Sequence, residues 1–356
     1  MIKYFLGANT PGGFYSLFDE LYFPHYDGRL FVIKGGPGTG KSSVMKRVAD
    51  EAEKRGFEVE RIFCSSDSSS LDGVIIPELK TAVADGTPPH IIEPKYPGAV
   101  EQIVNLGDCW DAGFLRINKE NIIEKSFECS AYHKRCVRFL KAYEALENDS
   151  RRLVEPAVDV KKLSDYAERL SIRLFPFDGG KKQGRVTRRF LSAVTNEGIT
   201  VFEESVKTLC DRVYSFGDEY GVCSNLFMGY ILKAALRSGF DAVVCPCVTN
   251  PKRKIDHVII PEKRLCFVSE NSFHSFDVEK EKTVSANRFT DTAVMKKHSA
   301  RLGFNRRASS ELLDEAALSL TNAKTVHDEL EEYYISAMDF SFVRKKAQKL
   351  IDEIFD

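Results

Sequence analysis

The stretch Leu30-Phe31-Val32-Ile33-Lys34-Gly35-Gly36-Pro37-Gly38-Thr39-Gly40-Lys41-Ser42-Ser43 decides the fold. Its apolar run from Leu30 to Ile33 ends in glycines, which is typical of a buried strand. An apolar stripe with helical spacing follows the loop: Val44, Met45, Val48, Ala49 and Ala52. Since a further apolar run at 59–63 predicts the next strand, the alternation indicates an α/β fold with a mainly parallel sheet covered by helices.

The glycine-rich loop of this stretch fits the pattern G-x-x-x-x-G-K-[ST] from Gly35 to Ser42. Glycines let the backbone curl until successive N–H groups point at phosphate oxygens, and the N-terminus of the following helix attracts the same anion. In this pattern the lysine, Lys41, reaches the β- and γ-phosphates and the Ser42 hydroxyl ligates Mg²⁺. The residues predicted to bind nucleotide are Gly35, Gly36, Pro37, Gly38, Thr39, Gly40, Lys41, Ser42 and Ser43.

A magnesium-site carboxylate is expected at the end of another strand. The strand-like run Thr81-Ala82-Val83-Ala84-Asp85 ends in Asp85, which we predict to be the second magnesium ligand and, with Lys41, a catalytic residue. The serine-rich loop at 64–72 contains Asp67 and Asp72, and Asp67 is a possible substrate-binding residue. Each of these aspartates also fits the ordinary role of a turn or cap residue.

The chain contains two copies of one unit. Asp72-Gly73-Val74-Ile75-Ile76-Pro77-Glu78 recurs as Asp256-His257-Val258-Ile259-Ile260-Pro261-Glu262, and collinear matches extend over both halves. We therefore predict a first domain at 1–177, a linker at 178–187 and a second domain at 188–356. Each copy ends in a long charged stretch of helical character, at about 118–174 and 308–355, and Pro156 predicts a helical hairpin rather than one rod.

The second copy lacks the residues of the phosphate loop. With the copies aligned 183 residues apart, the run Cys223-Ser224-Asn225 replaces Gly40-Lys41-Ser42, and Asp218-Glu219 replaces Gly35-Gly36. Two carboxylates at that position repel a triphosphate. The sequence therefore predicts a degenerate second loop and one intact loop.

Residues that are lost together are expected to have served one site. Ser269 stands where Asp85 is expected, 184 residues further along the chain, so the second copy lacks both the loop and the carboxylate. This joint loss supports Asp85 as the magnesium partner of the loop. Asp72 and His90, in contrast, persist in the second copy, which favours a structural role for both.

The composition is that of a globular protein and excludes several classes. Among 356 residues, 51 Lys and Arg balance 52 Asp and Glu, so the net charge of -1 gives no reason to expect nucleic acid or an anionic membrane as a partner. No apolar run approaches the roughly 20 residues of a membrane span, and no signal peptide is expected. Nine cysteines without a C-x-x-C pair indicate a reducing, cytoplasmic location, and Cys245 and Cys247 fit a buried strand.

The sequence resembles the tandem P-loop ATPase family of Firmicutes, whose members are mostly uncharacterised ATP-binding proteins. The residues that carry the resemblance run from Gly35 to Ser42, from Cys64 to Glu78 and from Asp85 to Pro94. The resemblance covers essentially the whole chain and implies two P-loop nucleoside triphosphatase folds and ATP binding. Members can carry a phosphate loop in both halves, so the degenerate second loop departs from the family pattern.

The leading functional hypothesis is an ATPase or ATP-dependent switch with one Mg·ATP site in the first copy. An arginine of the linker or second copy, Arg188, Arg189 or Arg212, is a candidate arginine finger. A small-molecule kinase of the nucleoside or nucleotide type is an alternative, since Gly86 rather than an acidic residue follows Asp85. A non-enzymatic module that binds ATP for the sake of a partner is the third. The expected partners are ATP and an unidentified small molecule or protein.

Overall fold

The structure is a computed structural model that describes residues 1–176 and 182–356. It confirms the predicted α/β class, because two six-stranded mixed sheets, mostly parallel, are flanked by helices. Residues 177–181 lie outside the described residues, and they include the first four positions of the predicted linker at 178–187.

The first half of the chain forms one sheet and a small hairpin. Its strands are Ile2–Phe5 (β1), Gly7–Thr10 (β2), Gly13–Ser16 (β3), Arg29–Lys34 (β4), Glu60–Phe63 (β5), Leu71–Ile76 (β6), Thr81–Asp85 (β7) and Glu101–Asn105 (β8). The sheet has the order β1-β5-β6-β7-β4-β8, and only β6 runs against the other five strands. The helices are Lys41–Lys54 (α1), Ala112–Ile117 (α2), Lys119–Val154 (α3) and Val160–Leu174 (α4).

The second half repeats this topology. Its strands are Val186–Arg188 (β9), Ser192–Thr195 (β10), Gly198–Val201 (β11), Arg212–Gly217 (β12), Ala242–Pro246 (β13), Ile255–Ile260 (β14), Leu265–Glu270 (β15) and Lys282–Ser285 (β16). Its helices are Glu203–Leu209 (α5), Val222–Arg237 (α6), Thr292–Lys297 (α7), Ser299–Ala337 (α8) and Phe340–Phe355 (α9). The sheet order β9-β13-β14-β15-β12-β16 matches that of the first sheet strand for strand, so the two copies seen in the sequence share one topology.

Both copies end in the predicted helical hairpin. Pro156 lies in a 3₁₀ turn at Glu155–Ala157 that separates α3 from α4, where the missing N–H of proline is tolerated. Helix α8 begins at Ser299, earlier than the predicted start near 308. The added turns are held by α3, since Asn305 Nδ2 donates to Asp149 Oδ2 at 2.8 Å. Contact between the two long helices therefore extends α8 beyond its charged stretch.

The last helix of each half packs on the sheet of the other half. Helix α4 buries Leu163, Tyr166 and Leu170 in one core with Phe227 and Phe267 of the second half. Helix α9 covers the first sheet and α1 in the same way, and its buried residues there are Val343, Ala347, Leu350, Ile351 and Ile354. The apolar stripe of each helix predicts that it is buried, but the sheet that buries it comes from the opposite half of the sequence.

The two halves meet at a centre with approximate twofold symmetry. The N–H of Phe5 donates to the C=O of Phe190, and the N–H of Phe190 donates to the C=O of Phe5, both at 2.9 Å. Inner faces of both sheets contribute to one apolar cluster, which contains Val32 of β4 and Val268 of β15. Since α3 and α8 also contribute to this cluster, the halves share a core rather than standing as two separate ones.

Replacing Ile351 by valine is expected to lower the free energy of unfolding by about 1 kcal/mol, because a buried methylene is lost. Ile351 is 5% exposed and packs with first-half residues although it belongs to the last helix. Urea unfolding followed by circular dichroism measures the change. The matched control is Ile172→Val on α4, where the isoleucine is 66% exposed, and we expect a much smaller change there. Equal losses in both variants would contradict the exchanged packing.

Candidate functional site

The glycine-rich loop joins the end of β4 to the start of α1, at the carboxyl edge of the first sheet. Gly38 has a φ of +66° and Gly40 a φ of +89°, a backbone region that residues with a Cβ rarely adopt. The Thr39 hydroxyl donates to the C=O of Gly36 at 2.8 Å and closes the turn. The loop amides therefore lie at the N-terminus of α1, whose dipole favours an anion.

Lys41 and Asp85, which the sequence predicts to act together, lie side by side. Strand β7 pairs in parallel with β4, so the ends of both strands meet at the loop. Lys41 Nζ is 3.6 Å from Asp85 Oδ2, and each side chain is 11% exposed. The same ammonium donates to the C=O of Gly36 at 2.7 Å. Asp85 Oδ1 accepts the N–H and the hydroxyl of Thr87 at 2.8 and 2.6 Å, which fixes the orientation of the carboxylate.

Ser42, the predicted magnesium ligand, also links α1 to the neighbouring strand β6. Its hydroxyl oxygen accepts the N–H of Leu71 at 2.9 Å. The second half repeats this link, since Asn225 Oδ1 accepts the N–H of Ile255 at 3.0 Å. Ser42 keeps a second lone pair for a cation, so the link and the predicted role are compatible. Ser43 is exposed in the first turn of α1.

Asp72, for which the sequence favours a structural role, is close to the Lys41–Asp85 pair. Strand β6 lies next to β7 in antiparallel register, which puts both aspartates at the same edge of the sheet. Burial raises the pKa of Asp72 to about 6, while His90 lowers it and Asp85 raises it further. His90 Nε2 is 3.5 Å from Asp72 Oδ1. The charges of Lys41, Asp72 and Asp85 therefore act on one another in a single site.

Asp67, the possible substrate-binding residue, is held away from this pair. Its Oδ1 accepts the N–H of Ser69 at 3.0 Å, as in an ordinary Asx turn. Its Oδ2 lies 3.7 Å from Lys324 Nζ of α8. These contacts agree with the turn role that the sequence also allowed.

A helix from the second half covers the phosphate loop, and sequence reasoning missed it. Glu331 of α8 accepts the N–H of Gly38 at 2.9 Å, so a carboxylate occupies an amide that the motif offers to phosphate. Tyr334 lies against Gly36, where an added Cβ would come within 2.5 Å of the tyrosine ring. Trp110 packs on Tyr334 with ring centroids 5.9 Å apart. No local signal marks Glu331 as a site residue, because it lies 293 positions from Gly38 in the chain.

The corresponding loop of the second half is shorter. Four residues, 218–221, separate β12 from α6, whereas six, 35–40, separate β4 from α1. Gly221, with a φ of +67°, takes the place of Gly40 at the start of the helix. Pairing Gly40 with Cys223 at constant spacing is therefore wrong, because two loop residues are absent and the helix begins two residues earlier.

Acidic side chains occupy this shorter loop. Asp218 Oδ2 accepts the N–H of Ser224 at 2.8 Å, and its Oδ1 accepts that of Tyr220 at 3.2 Å. Glu219 accepts the N–H of Ser272 at 3.0 Å. A carboxylate of the loop itself therefore satisfies the N-terminus of α6, where an anion is favoured.

A cavity of about 50 Å³ lies at the corresponding place in the second half, and its lining includes Glu147, Lys254, Asp256 and His274. Lys254 Nζ is 2.9 Å from Asp256 Oδ1. Burial raises the pKa of Glu147 to about 7. Glu147 precedes Glu331 by 184 residues, so each long helix presents a glutamate to the loop region of the opposite half.

Asp256, His257 and His274 form the one group, among the residues that the structure describes, whose ligand atoms are close enough for a metal ion, within 4.8 Å. Their chemistry favours an ion pair instead. The Lys254 ammonium already neutralises Asp256. His257 Nδ1 accepts the N–H of Ser269 at 3.3 Å, so the neutral ring carries its proton on Nε2, which then has no lone pair for a metal.

The candidate arginine fingers bind carboxylates at other places. Arg189 Nε donates to Glu60 Oε2 at 2.8 Å, and Arg212 Nε donates to Glu281 Oε2 at 2.6 Å. Glu60 and Arg212 begin strands β5 and β12, at the edge of each sheet opposite the loops. Arg188 is exposed. The geometry of these bonds gives no support to an arginine finger from Arg189 or Arg212.

Comparisons of the chain with protein-family models, curated proteins and solved structures gave no match. The resemblance to tandem P-loop ATPases therefore stays a prediction, and a functional assignment depends on the geometry of the loop. Over residues 1–176 and 182–356, no helix combines the length and the apolar character that crossing a membrane requires.

Proposed function

We propose that this chain is a Mg·ATP-binding P-loop ATPase or ATP-dependent switch with one nucleotide site, in its first half. The position of Lys41 carries the proposal. It extends from the glycine-rich loop between β4 and α1 and lies 3.6 Å from Asp85 at the end of the adjacent parallel strand. A lysine, loop amides and a strand-end carboxylate in this order are the parts with which P-loop proteins bind nucleotide phosphates.

Each part has a separate role in this proposal. The amides of 35–40 donate to phosphate oxygens, and Lys41 turns from the C=O groups of its own loop to the β- and γ-phosphates. Ser42 and Asp85 would hold Mg²⁺, which neutralises charge on the phosphates when bound. Asp72 adds a second carboxylate beside Asp85, and oxygen ligands are those that Mg²⁺ prefers.

The second half supports one site rather than two. A phosphate at the start of α6 would meet Asp218, which already occupies that position. The only lysine placed among the acidic groups lining the second-half cavity, Lys254, is paired with Asp256. We therefore assign the second half as a degenerate P-loop unit whose last two helices complete the first site.

The cover over the loop favours a switch. Phosphate must displace Glu331 from the N–H of Gly38 and make room beside Tyr334, so nucleotide binding has to move this end of α8. Helix α8 packs along α3, and Glu147 of α3 lines the second-half cavity. Shifts of packed helices are a common way for a ligand to change a distant surface. A kinase would need an acceptor site near the γ-phosphate, and Asp67 is bound to other groups.

Titration with Mg·ATP is expected to change the fluorescence of Trp110 in a saturable way. Trp110 is the single tryptophan of the chain, and it packs on Tyr334, which must move when phosphate enters. The titration is repeated without Mg²⁺, where we expect much weaker binding. A phosphate-release assay on the same samples then distinguishes turnover from binding alone. Absence of both the fluorescence change and retention of labelled ATP in equilibrium dialysis would contradict the proposed function.

A further inference from the structure

A cluster of four side chains lies between α3 and α8, beside the phosphate loop. We call it the thiol cluster, and it consists of Cys129 and His133 of α3 with His327 and Glu331 of α8. Cys129 Sγ is 3.5 Å from the C=O of Ala323, one helical turn before His327. His133 follows Cys129 by one turn, so the two imidazoles flank the thiol from two helices.

Hydrogen bonds connect the thiol cluster in series. Cys129 is hydrogen-bonded to both His133 and His327. His327 Nε2 lies 3.3 Å from Glu331 Oε1, the oxygen that accepts the N–H of Gly38 in the phosphate loop. A thiol, a base beside it and a carboxylate that orients the base are the arrangement that activates cysteine nucleophiles.

The charges in the thiol cluster favour the thiolate. Burial raises the pKa of Cys129, but the hydrogen bonds and charges of His133 and His327 outweigh it and bring the pKa down to about 7. Hydrogen bonds to Cys129 and Glu331 raise the pKa of His327 to about 9. Glu331 in turn faces His327 and Lys41, which lower its pKa. Near neutral pH the cluster therefore holds a thiolate, an imidazolium and a carboxylate in a row.

The other cysteines do not share this environment. All nine lie in the described part of the chain, and seven of them are buried. Cys64 is partly exposed like Cys129, but burial and the charge of Asp72 raise the pKa of Cys64 well above its ordinary value. Accessibility and ionisation thus coincide at Cys129.

We propose that Cys129 is a modification site that reacts with low-molecular-weight disulfides at neutral pH. Its thiolate attacks one sulfur of the reagent, the S–S bond of the reagent breaks, and a mixed disulfide forms at Cys129. The other half of the reagent leaves as a thiolate with the electron pair of the broken bond and takes a proton from solvent or His327. The sulfur of Cys129 is oxidised and the leaving sulfur is reduced, so no further oxidant is needed.

Modification changes the surroundings of the phosphate loop. A mixed disulfide carries no charge on the Cys129 sulfur, so the His327 imidazolium keeps Glu331 as its anionic neighbour. Glu331 is the group that occupies the N–H of Gly38. The reaction at Cys129 does not depend on nucleotide binding, and its product lies two side chains away from the loop.

The test measures the reaction of the full-length chain with glutathione disulfide as a function of pH, by intact mass and peptide mapping. We expect a single modified residue, Cys129, and a midpoint of the rate near pH 7. At pH 7 the rate should exceed that of an ordinary thiol about fivefold, since roughly fifty times more thiolate outweighs a roughly tenfold lower nucleophilicity. Cys129→Ser should abolish the reaction, and the matched variant Cys64→Ser should leave it unchanged.

Variants of the partners distinguish an activated thiol from one that is only exposed. His327→Asn should raise the midpoint by at least about one pH unit, because the imidazolium no longer favours the thiolate. Glu331→Gln should raise it by less, and His133→Asn provides the same comparison if His327→Asn does not fold by circular dichroism. A midpoint near pH 9 in the wild-type chain, or equal modification of Cys64, would overturn the proposal.

Discussion

Lys41→Ala is expected to weaken Mg·ATP binding at least about a hundredfold and to abolish any hydrolysis. The ammonium is expected to donate to the β- and γ-phosphates, and a hydrogen bond between charged groups contributes roughly 1.5–3 kcal/mol. Two such bonds correspond to a factor of a hundred or more in the dissociation constant. Isothermal titration calorimetry measures the affinity, and a phosphate-release assay measures the turnover.

The control for this prediction is another lysine of the same helix. Lys46 is exposed on α1, and its ammonium donates to the C=O of Ser69 at 2.8 Å. Lys46→Ala should bind nucleotide as the wild-type chain does. Because Lys41→Ala leaves Asp85 without its ammonium partner, the fold of that variant is checked by circular dichroism. A folded Lys41→Ala chain with wild-type affinity would show that the loop is not the phosphate site.

Glu331→Gln is expected to strengthen Mg·ATP binding about tenfold. The carboxylate holds the N–H of Gly38 at 2.9 Å, and this bond must break before phosphate can use the amide. A hydrogen bond to a charged acceptor is stronger than one to a neutral acceptor by roughly 1–1.5 kcal/mol, which corresponds to this factor. The glutamine keeps the size of the side chain, so the cover by Tyr334 is retained. Calorimetry at fixed Mg²⁺ concentration measures the change.

A neighbouring glutamate provides the matched control. Glu329 lies on α8 two residues earlier, where it is exposed and pairs with Lys125 at 2.6 Å. Glu329→Gln removes the same charge from the same helix without touching the loop, so its affinity should stay near that of the wild-type chain. Weaker binding by Glu331→Gln would mean that this carboxylate assists the nucleotide rather than excluding it.

Much of the fold could be predicted because its signals are local. The run from Leu30 to Ile33 became β4, and Pro156 separates two helices. The reversed direction of β6 could not be predicted, because every residue of Leu71–Ile76 is buried and such a run has the same pattern in either direction. The stripe of α4, likewise, shows that a face is buried but not which sheet buries it.

The site was predictable to the extent that its parts follow chain-local rules. The loop before α1 and a carboxylate at a strand end require only the order of elements, and the structure brings Lys41 and Asp85 together. Glu331 could not be found, because only the packing of α8 brings it to the loop. Asp72 was misjudged for a different reason: its counterpart Asp256 persists as the partner of a buried lysine, so persistence in the second half did not mean an equal role.

The exchanged helices have a consequence for how such a protein can diverge. Two identical single units that assembled in this way would form two equivalent sites, and every substitution would appear in both. When the units are joined in one polypeptide, one loop can lose its lysine while α8 and α9 of the same half continue to serve the other loop. Covalent linkage thus permits a division of labour, with one half keeping the chemistry and the other supplying the parts that enclose it.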